Sequence, residues 1–300
     1  MGLSRILDVG ISIIRRRWAV LLGVAVLFVG PGALLTAATN LRFVETSRDI
    51  LGPELELLEA NATITNAQLE RLGGDLLAYL AATTIAGLLA AVGGLAFSAV
   101  VGADFFHRPL GLGEALGVAF RRALSALAFI LLTIVIVVLI VIGAMALMIA
   151  VLAVSGGGNL DQGGPGVFLV ILLGVALALA LVYLTVRWAP ALPAIAIEDL
   201  GWRDAFRRAW HLSGDNLWRI GVVILISLIV MSLLGALVAQ LLAVVLVGVV
   251  ATAVGLDLLL AESIALALGT VLVAPLLPVL TAVLYFDLRV RRDPPGSLTE

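Results

Sequence analysis

Cysteine and lysine are both absent from the chain, histidine occurs only at positions 107 and 211, and charge of either sign is scarce. Without cysteine there can be no disulfide, thiol nucleophile or cysteine-ligated metal. His107 and His211 each stand among arginines, whose positive charge opposes binding of a cation, so no metal or cofactor is expected. Charged residues make up 13 % of the chain against 62 % apolar. A soluble chain carries roughly twice that charged fraction, so the composition predicts a membrane protein. A net charge of −2 offers nothing to nucleic acid. The all-arginine basic set, with abundant Ala, Gly, Leu and Val, fits a GC-rich bacterial genome.

What the chain does have is a basic segment that recurs ahead of long apolar runs. The clearest copy is Gly201-Trp202-Arg203-Asp204-Ala205-Phe206-Arg207-Arg208-Ala209-Trp210. A second is Gly111-Leu112-Gly113-Glu114-Ala115-Leu116, followed by Arg121-Arg122, and a third opens the chain at Gly2 and leads to Arg15-Arg16-Arg17. Each reads as an amphipathic helix, with apolar and charged residues on opposite faces. Trp18 and Trp218 stand at nearly the same offset from Gly2 and Gly201, where interfacial aromatics are favoured.

The apolar runs predict spans at about 18–38, 76–101, 124–154, 167–186, 217–240 and 263–286, each near or above the ~20 residues that cross hydrocarbon. A cleaved signal peptide is the rival reading of the first run; the run is long for one, and the same basic foot recurs where no signal can be. Asn40 to Asp75 is the one long polar stretch, with seven acids against three arginines. Pro53, Asn66 and Gly73 suggest two short surface helices there. Its acids lack calcium-loop spacing and read as a solvated face. Asn61-Ala62-Thr63 has the form of a glycosylation acceptor, without meaning in a bacterial membrane protein.

Ala82, Ala86, Ala90, Gly94, Ser98 and Gly102 place small residues four apart, predicting a helix at the bundle centre or at a dimer contact. Residues 217–254 are about 57 Å long as a helix, too long for one crossing. A break near Gly235–Gln240 or an interfacial or re-entrant piece is expected, with Asp257 and Glu262 marking the turn. Pro190 with Pro193, and Pro275 with Pro278, interrupt two apolar runs.

Charge placement sets orientation. The N-terminal segment, the second and fourth connections and the C-terminus hold 15 of the 18 arginines; the other connections hold three arginines and ten acids. The positive-inside rule then puts both termini in the cytoplasm. Residues 1–300 read as one all-α integral membrane domain of the bacterial inner membrane. It comprises six transmembrane helices in three repeated units, each an amphipathic cytoplasmic helix followed by a helical hairpin.

The feet, the Pro190–Glu198 stretch, Trp218-Arg219 and the terminal Tyr285-Phe286-Asp287-Leu288-Arg289-Val290-Arg291 resemble the membrane domain associated with glycerophosphoryl diester phosphodiesterases. They are similar above all to its stand-alone actinobacterial relatives of unknown function. The resemblance covers nearly the whole chain. Some family members carry a fused catalytic barrel that hydrolyses glycerophosphodiesters. The longest polar stretch here is about 36 residues, so that activity is not implied.

The runs hold hydroxyls but no base beside them, which argues against an intramembrane enzyme. They also lack interior ionisable groups, which argues against an ion-coupled carrier. The arginines of the feet and the C-terminus (Arg15, Arg16, Arg17, Arg121, Arg122, Arg203, Arg207, Arg208, Arg219, Arg289, Arg291 and Arg292) are candidate contacts for anionic phospholipid headgroups or a protein partner. Arg208 can pair with Asp204 along its helix. Arg187 ends the fourth run and either snorkels to the headgroups or pairs with Glu198 or Asp287. The expected function is a non-catalytic, lipid-interacting or partner-recruiting scaffold, as monomer or homo-oligomer. The alternative is a transporter or channel for a lipid or small solute, with the prolines bending helices around a cavity.

Overall fold

A computed structural model of the chain describes residues 2–56, 65–154, 165–246, 248 and 258–293. Asn61, Asp161 with its glycine-rich turn, and Asp257 lie outside the described residues. The described elements are helices: α1 Leu3–Val24, α2 Gly30–Glu56, α3 Asn66–Phe105, α4 Leu112–Val154, α5 Pro165–Trp188, α6 Ala191–Ile197, α7 Trp202–Ser213, α8 Leu217–Val245, α9 Leu258–Val273 and α10 Leu276–Arg292. Six segments are long and apolar enough to cross a membrane: Ser4–Ile50, Asn66–Phe105, Leu112–Val151, Phe168–Ile197, Leu217–Val245 and Leu258–Arg292.

Where the helices bend follows from local chemistry. Arg17 leaves helical geometry (φ −114°, ψ 16°) and separates the basic foot of α1 from its apolar part. A π-turn at Ala25–Val29 joins α1 to α2, with the Gly30 N–H bonding back to Ala25 O. Pro31 follows at once. Having no N–H to offer the carbonyl four residues back, proline is relieved by such a widened turn. Pro190 and Pro275 are the N-caps of α6 and α10. Pro193 and Pro278 then fall in the first turn, where a missing N–H is least costly. The two proline pairs therefore perform the same local operation: each ends one helix and starts the next.

Three expectations are corrected. The polar stretch after the first run does not form separate surface helices. α2 continues through Pro53 to Glu56, and α3 starts at Asn66 on a capping box made by Thr65 and Gln68 and runs through Gly73 and Gly74. A helix already nucleated by its apolar part extends at little cost. Thr46 donates to Asp75 at 2.6 Å, and Phe43 stacks on Tyr79 at 6.3 Å, tying the two extensions together. Nor does the fifth run break at Gly235–Gln240; α8 is helical through Val245. The small residues there admit a neighbour instead: a Cβ on Gly269 of α9 would stand 3.1 Å from Gly235 O and from Ala239 Cβ. Glu262 lies inside α9, so it does not mark the turn.

The core is the last three turns of α3 packed on α10. Every residue from Ala91 to Gly102 is buried, as are Val279, Leu280 and Ala282–Leu288. Phe105 stacks on Phe286 at 4.5 Å where the two helices end. The small residues of α3 explain the closeness: a Cβ on Gly94 or Gly102 would reach Leu192 or Ile197 of α6 at 3.4 Å. This places α3 at the bundle centre. Its outer half crosses α2 more tightly still, with a Cβ on Gly32 falling 2.8 Å from Ala86 Cα.

That contact is with backbone, which cannot swing aside. Gly32→Leu is expected to destabilise the detergent-solubilised protein by about 1–3 kcal/mol, read as a fall in melting temperature by circular dichroism. Gly73→Ala, with nothing within 4 Å of the added carbon, should leave it unchanged or slightly raised.

Candidate functional site: an arginine collar and an apolar chamber

The three feet begin alike. The N–H groups of Ile6, Ala115 and Ala205 bond to Gly2, Gly111 and Gly201, at 3.3, 3.1 and 2.9 Å. In each, the fourth and eighth residues after the glycine are buried: Ile6 and Gly10, Ala115 and Ala119, Ala205 and Ala209. Those small or apolar positions seat the feet in one layer around the end of α10, with α1 against α4 and α10, and α7 against α4, α6 and α10. The arginines on their other faces, with those of α8 and α10, form a collar at this end of the bundle.

Most collar arginines point inward, onto carboxylates. Arg208 donates to both Glu198 oxygens at 2.9 and 3.0 Å and to both Asp293 oxygens at 2.5 and 3.0 Å. Arg289 stands 3.4 Å from Glu198 and 3.5 Å from Asp293, and the Tyr285 ring is buried in the same layer. Asp287, only 3 % exposed, is held by Arg219 at 2.9 Å and Arg291 at 3.1 Å. Arg292 pairs with Asp215 at 2.5 Å, Arg122 pairs with Asp199, and Arg16 and Arg17 grip Asp104 at 2.8 and 3.1 Å. Thus α1 is clamped to α3, α4 to the α6–α7 link, and α7 and α8 to α10. The Asp293 hydrogen bond, opposed by desolvation and aided by Glu198, raises the Arg208 guanidinium above its ordinary range. The same bond holds the Asp293 carboxyl below its usual value.

Arg15, Arg121, Arg203 and Arg207 are exposed and have no ion pair among the described residues. Arg203 lies over the Trp202 ring at 4.9 Å. Trp18 and Trp218 are exposed at the same end of the bundle, Trp218 by 85 %. The candidate contacts therefore divide: Arg16, Arg17, Arg122, Arg208, Arg219, Arg289, Arg291 and Arg292 brace helices, and the other four face outward.

Two pairings expected from sequence go elsewhere. Arg208 turns in toward Glu198 and Asp293, away from Asp204 on its own helix. Arg187 meets neither Glu198 nor Asp287, which other arginines hold. Its guanidinium donates to Tyr183 Oη at 2.9 Å, Trp210 O at 3.2 Å and Ser213 Oγ at 3.3 Å. It lies over the rings of Trp210 and Tyr183 at 4.4 and 5.3 Å. The acids Asp104, Asp199, Asp215 and Asp293 carry the collar and were not singled out by sequence. The i,i+4 spacing of Arg289 with Asp293, like that of Asp287 with Arg291, is the one local signal that could have found any of these pairs. Among the described residues no three acids or histidines stand close enough to hold a metal ion.

Above the collar the proline breaks open an apolar chamber. One cavity of about 300 Å³ lies between the small face of α3 and the two proline starts, lined by Gly94, Ser98, Pro193 and Pro278. Two neighbours, of about 370 and 460 Å³, meet it at Ala90. The hydroxyls of Thr185, Thr270 and Thr281 on these walls bond to carbonyls of their own helices, at 2.9, 2.9 and 2.7 Å, and are not offered to the space.

Removing one member of a partly buried pair strands its partner's charge, at a cost on the order of 3 kcal/mol. Arg208→Gln should lose about that much stability, and Arg121→Gln less than about 0.5 kcal/mol, by thermal melting in detergent. Because Asp293 is held below its ordinary value, its contribution is complete above that value and is lost as pH falls through the lower, folded one. Asp293→Asn should remove that part of the acid sensitivity in a melting series across about pH 2–5.

Among curated proteins and solved structures, none matches the chain. One family model does, over residues 1–288, and no activity comes with its description. The chain belongs to the family described as Domain of unknown function (DUF7847).

Proposed function

We propose that the protein is a non-catalytic scaffold of the bacterial inner membrane. On this reading it crosses the bilayer six times in three foot-plus-hairpin units, keeps both termini in the cytoplasm, and engages anionic phospholipid through its collar. The observation that carries the reading is the division of the arginines. Eight are paired with carboxylates; Arg15, Arg121, Arg203 and Arg207 face outward on the three feet, and Trp18 and Trp218 are exposed at the same end of the bundle. Arginine near an anionic leaflet contributes about 1 kcal/mol per residue, and amphipathic interfacial helices draw on the same attraction. The likeness to the membrane domain of glycerophosphoryl diester phosphodiesterases belongs to this reading and bears on architecture alone.

The apolar chamber favours a second reading, passage or storage of a lipid chain. Its largely apolar lining suits hydrocarbon better than a polar solute. Both readings share a lipid ligand; they differ in whether the chain moves.

The test uses the full chain in nanodiscs of phosphatidylcholine with and without phosphatidylglycerol. Replacing Arg15, Arg121, Arg203 and Arg207 together by Gln should abolish the thermal stabilisation that phosphatidylglycerol gives, with melting in phosphatidylcholine unchanged. Equal stabilisation of variant and wild type would refute the lipid-binding collar. A C-terminal reporter that is active only in the periplasm should be silent; a signal from it would refute the orientation.

A further inference from the structure

Of the arginines at the collar end, Arg187 has an arrangement of its own. It sits at the last turn of α5 rather than on a foot, and its neighbours are neutral. Tyr183 Oη, Trp210 O and Ser213 Oγ fix the guanidinium while adding no negative charge, and two rings lie against it. Hydrogen bonds to neutral acceptors orient a cation without discharging it. They occupy Nε and Nη1, so Nη2 keeps donors to give. A snorkelling arginine would need none of this scaffolding. The two rings are each 42 % exposed, so the site is a surface recess.

What leads up to it is apolar. Leu172, Val175, Leu179 and Val182 are all more than half exposed and lie on one face of α5, which continues into Tyr183 and Arg187. On α7, Arg207 and His211 are exposed on either side of the Trp210 position. One surface thus runs from a hydrocarbon stripe, through two amphipathic rings, to an undischarged guanidinium flanked by further basic groups. Its complement is an amphiphile with an anionic head. We propose that Arg187, Tyr183 and Trp210 form a specific site for the phosphate of an anionic glycerophospholipid, whose acyl chains lie along the outer face of α5. This rests on the membrane reading above, and it adds one defined site to a diffuse collar. Arginine suits the task because its planar fork can meet two phosphate oxygens at once.

Native mass spectrometry of the detergent-purified full chain, titrated with phosphatidylglycerol, reads the site directly. Arg187→Gln should lose one bound phosphatidylglycerol, with affinity about tenfold weaker, and Arg187→Lys should fall between. Phosphatidylcholine of the same chain length should bind wild type and variants alike. Because Arg187 also ties α5 to α7, a structural effect is separated by melting temperature: a purely structural role lowers it equally in both lipids, whereas loss of the site shrinks only the increment given by phosphatidylglycerol. Unaltered phosphatidylglycerol binding by Arg187→Gln overturns the proposal. So does protection by millimolar inorganic phosphate equal to that by lipid, which would make the site one for free phosphate. Loss of the bound lipid in Arg187→Gln, with full binding by a variant lacking only Arg15, Arg121 and Arg203, which lie away from the Arg187 recess, would sustain this site while the collar reading fails. The opposite pattern would sustain the collar and sink the site.

Discussion

The cluster of Glu198, Arg208, Arg289 and Asp293 holds the fold to its shape at the collar end. It joins the end of α6, the middle of α7 and the last turn of α10. Two cations and two anions alternate in a layer whose side chains are 12–21 % exposed. In such a place each charge is tolerable only because the others are present. The neighbouring Arg219–Asp287–Arg291 group repeats the solution about half a turn earlier on α10, around a carboxylate buried almost completely.

This arrangement makes arginine a structural residue in a chain that has no lysine to share the work. The planar fork lets Arg208 serve two carboxylates in two directions, which a single ammonium could not match in geometry. It also changes how the collar's positive charge is counted. Most of it is neutralised within the protein, so what the surface offers is set by a few side chains on the outward faces of the feet. A sequence count of basic residues therefore overstates that field.

The parts of the fold that depend on local pattern were legible. Hydropathy marked the six apolar helices, and the glycine-led feet with their alternation of small and basic residues marked where α1, α4 and α7 start. The small face of α3 announced a close approach, which Leu192 and Ile197 make. What needed three dimensions was missed. Arg208 and Asp293 are 85 residues apart, and no periodicity joins them. Arg187 was read as snorkelling or as pairing with Glu198 or Asp287, yet Trp210 and Ser213 reach it because α7 folds back beside α5. Pro53 and Gly73 were read as punctuation, and the momentum of two long helices overrode them.

One consequence follows from where Asp293 and Arg289 lie in the chain. They are among the last described residues, while Glu198 and Arg208 are made far earlier. During synthesis the Glu198–Arg208 pair therefore waits, without its second carboxylate and second guanidinium, until α10 emerges and docks. On the membrane reading, the earlier hairpins can insert and pair through Asp104 and Asp199 on their own, but the Glu198–Arg208 cluster closes only when α10 arrives. Translation order and ion pairing are thereby coupled, and a chain that stops short at residue 288 leaves Glu198 and Arg208 without Arg289 and Asp293.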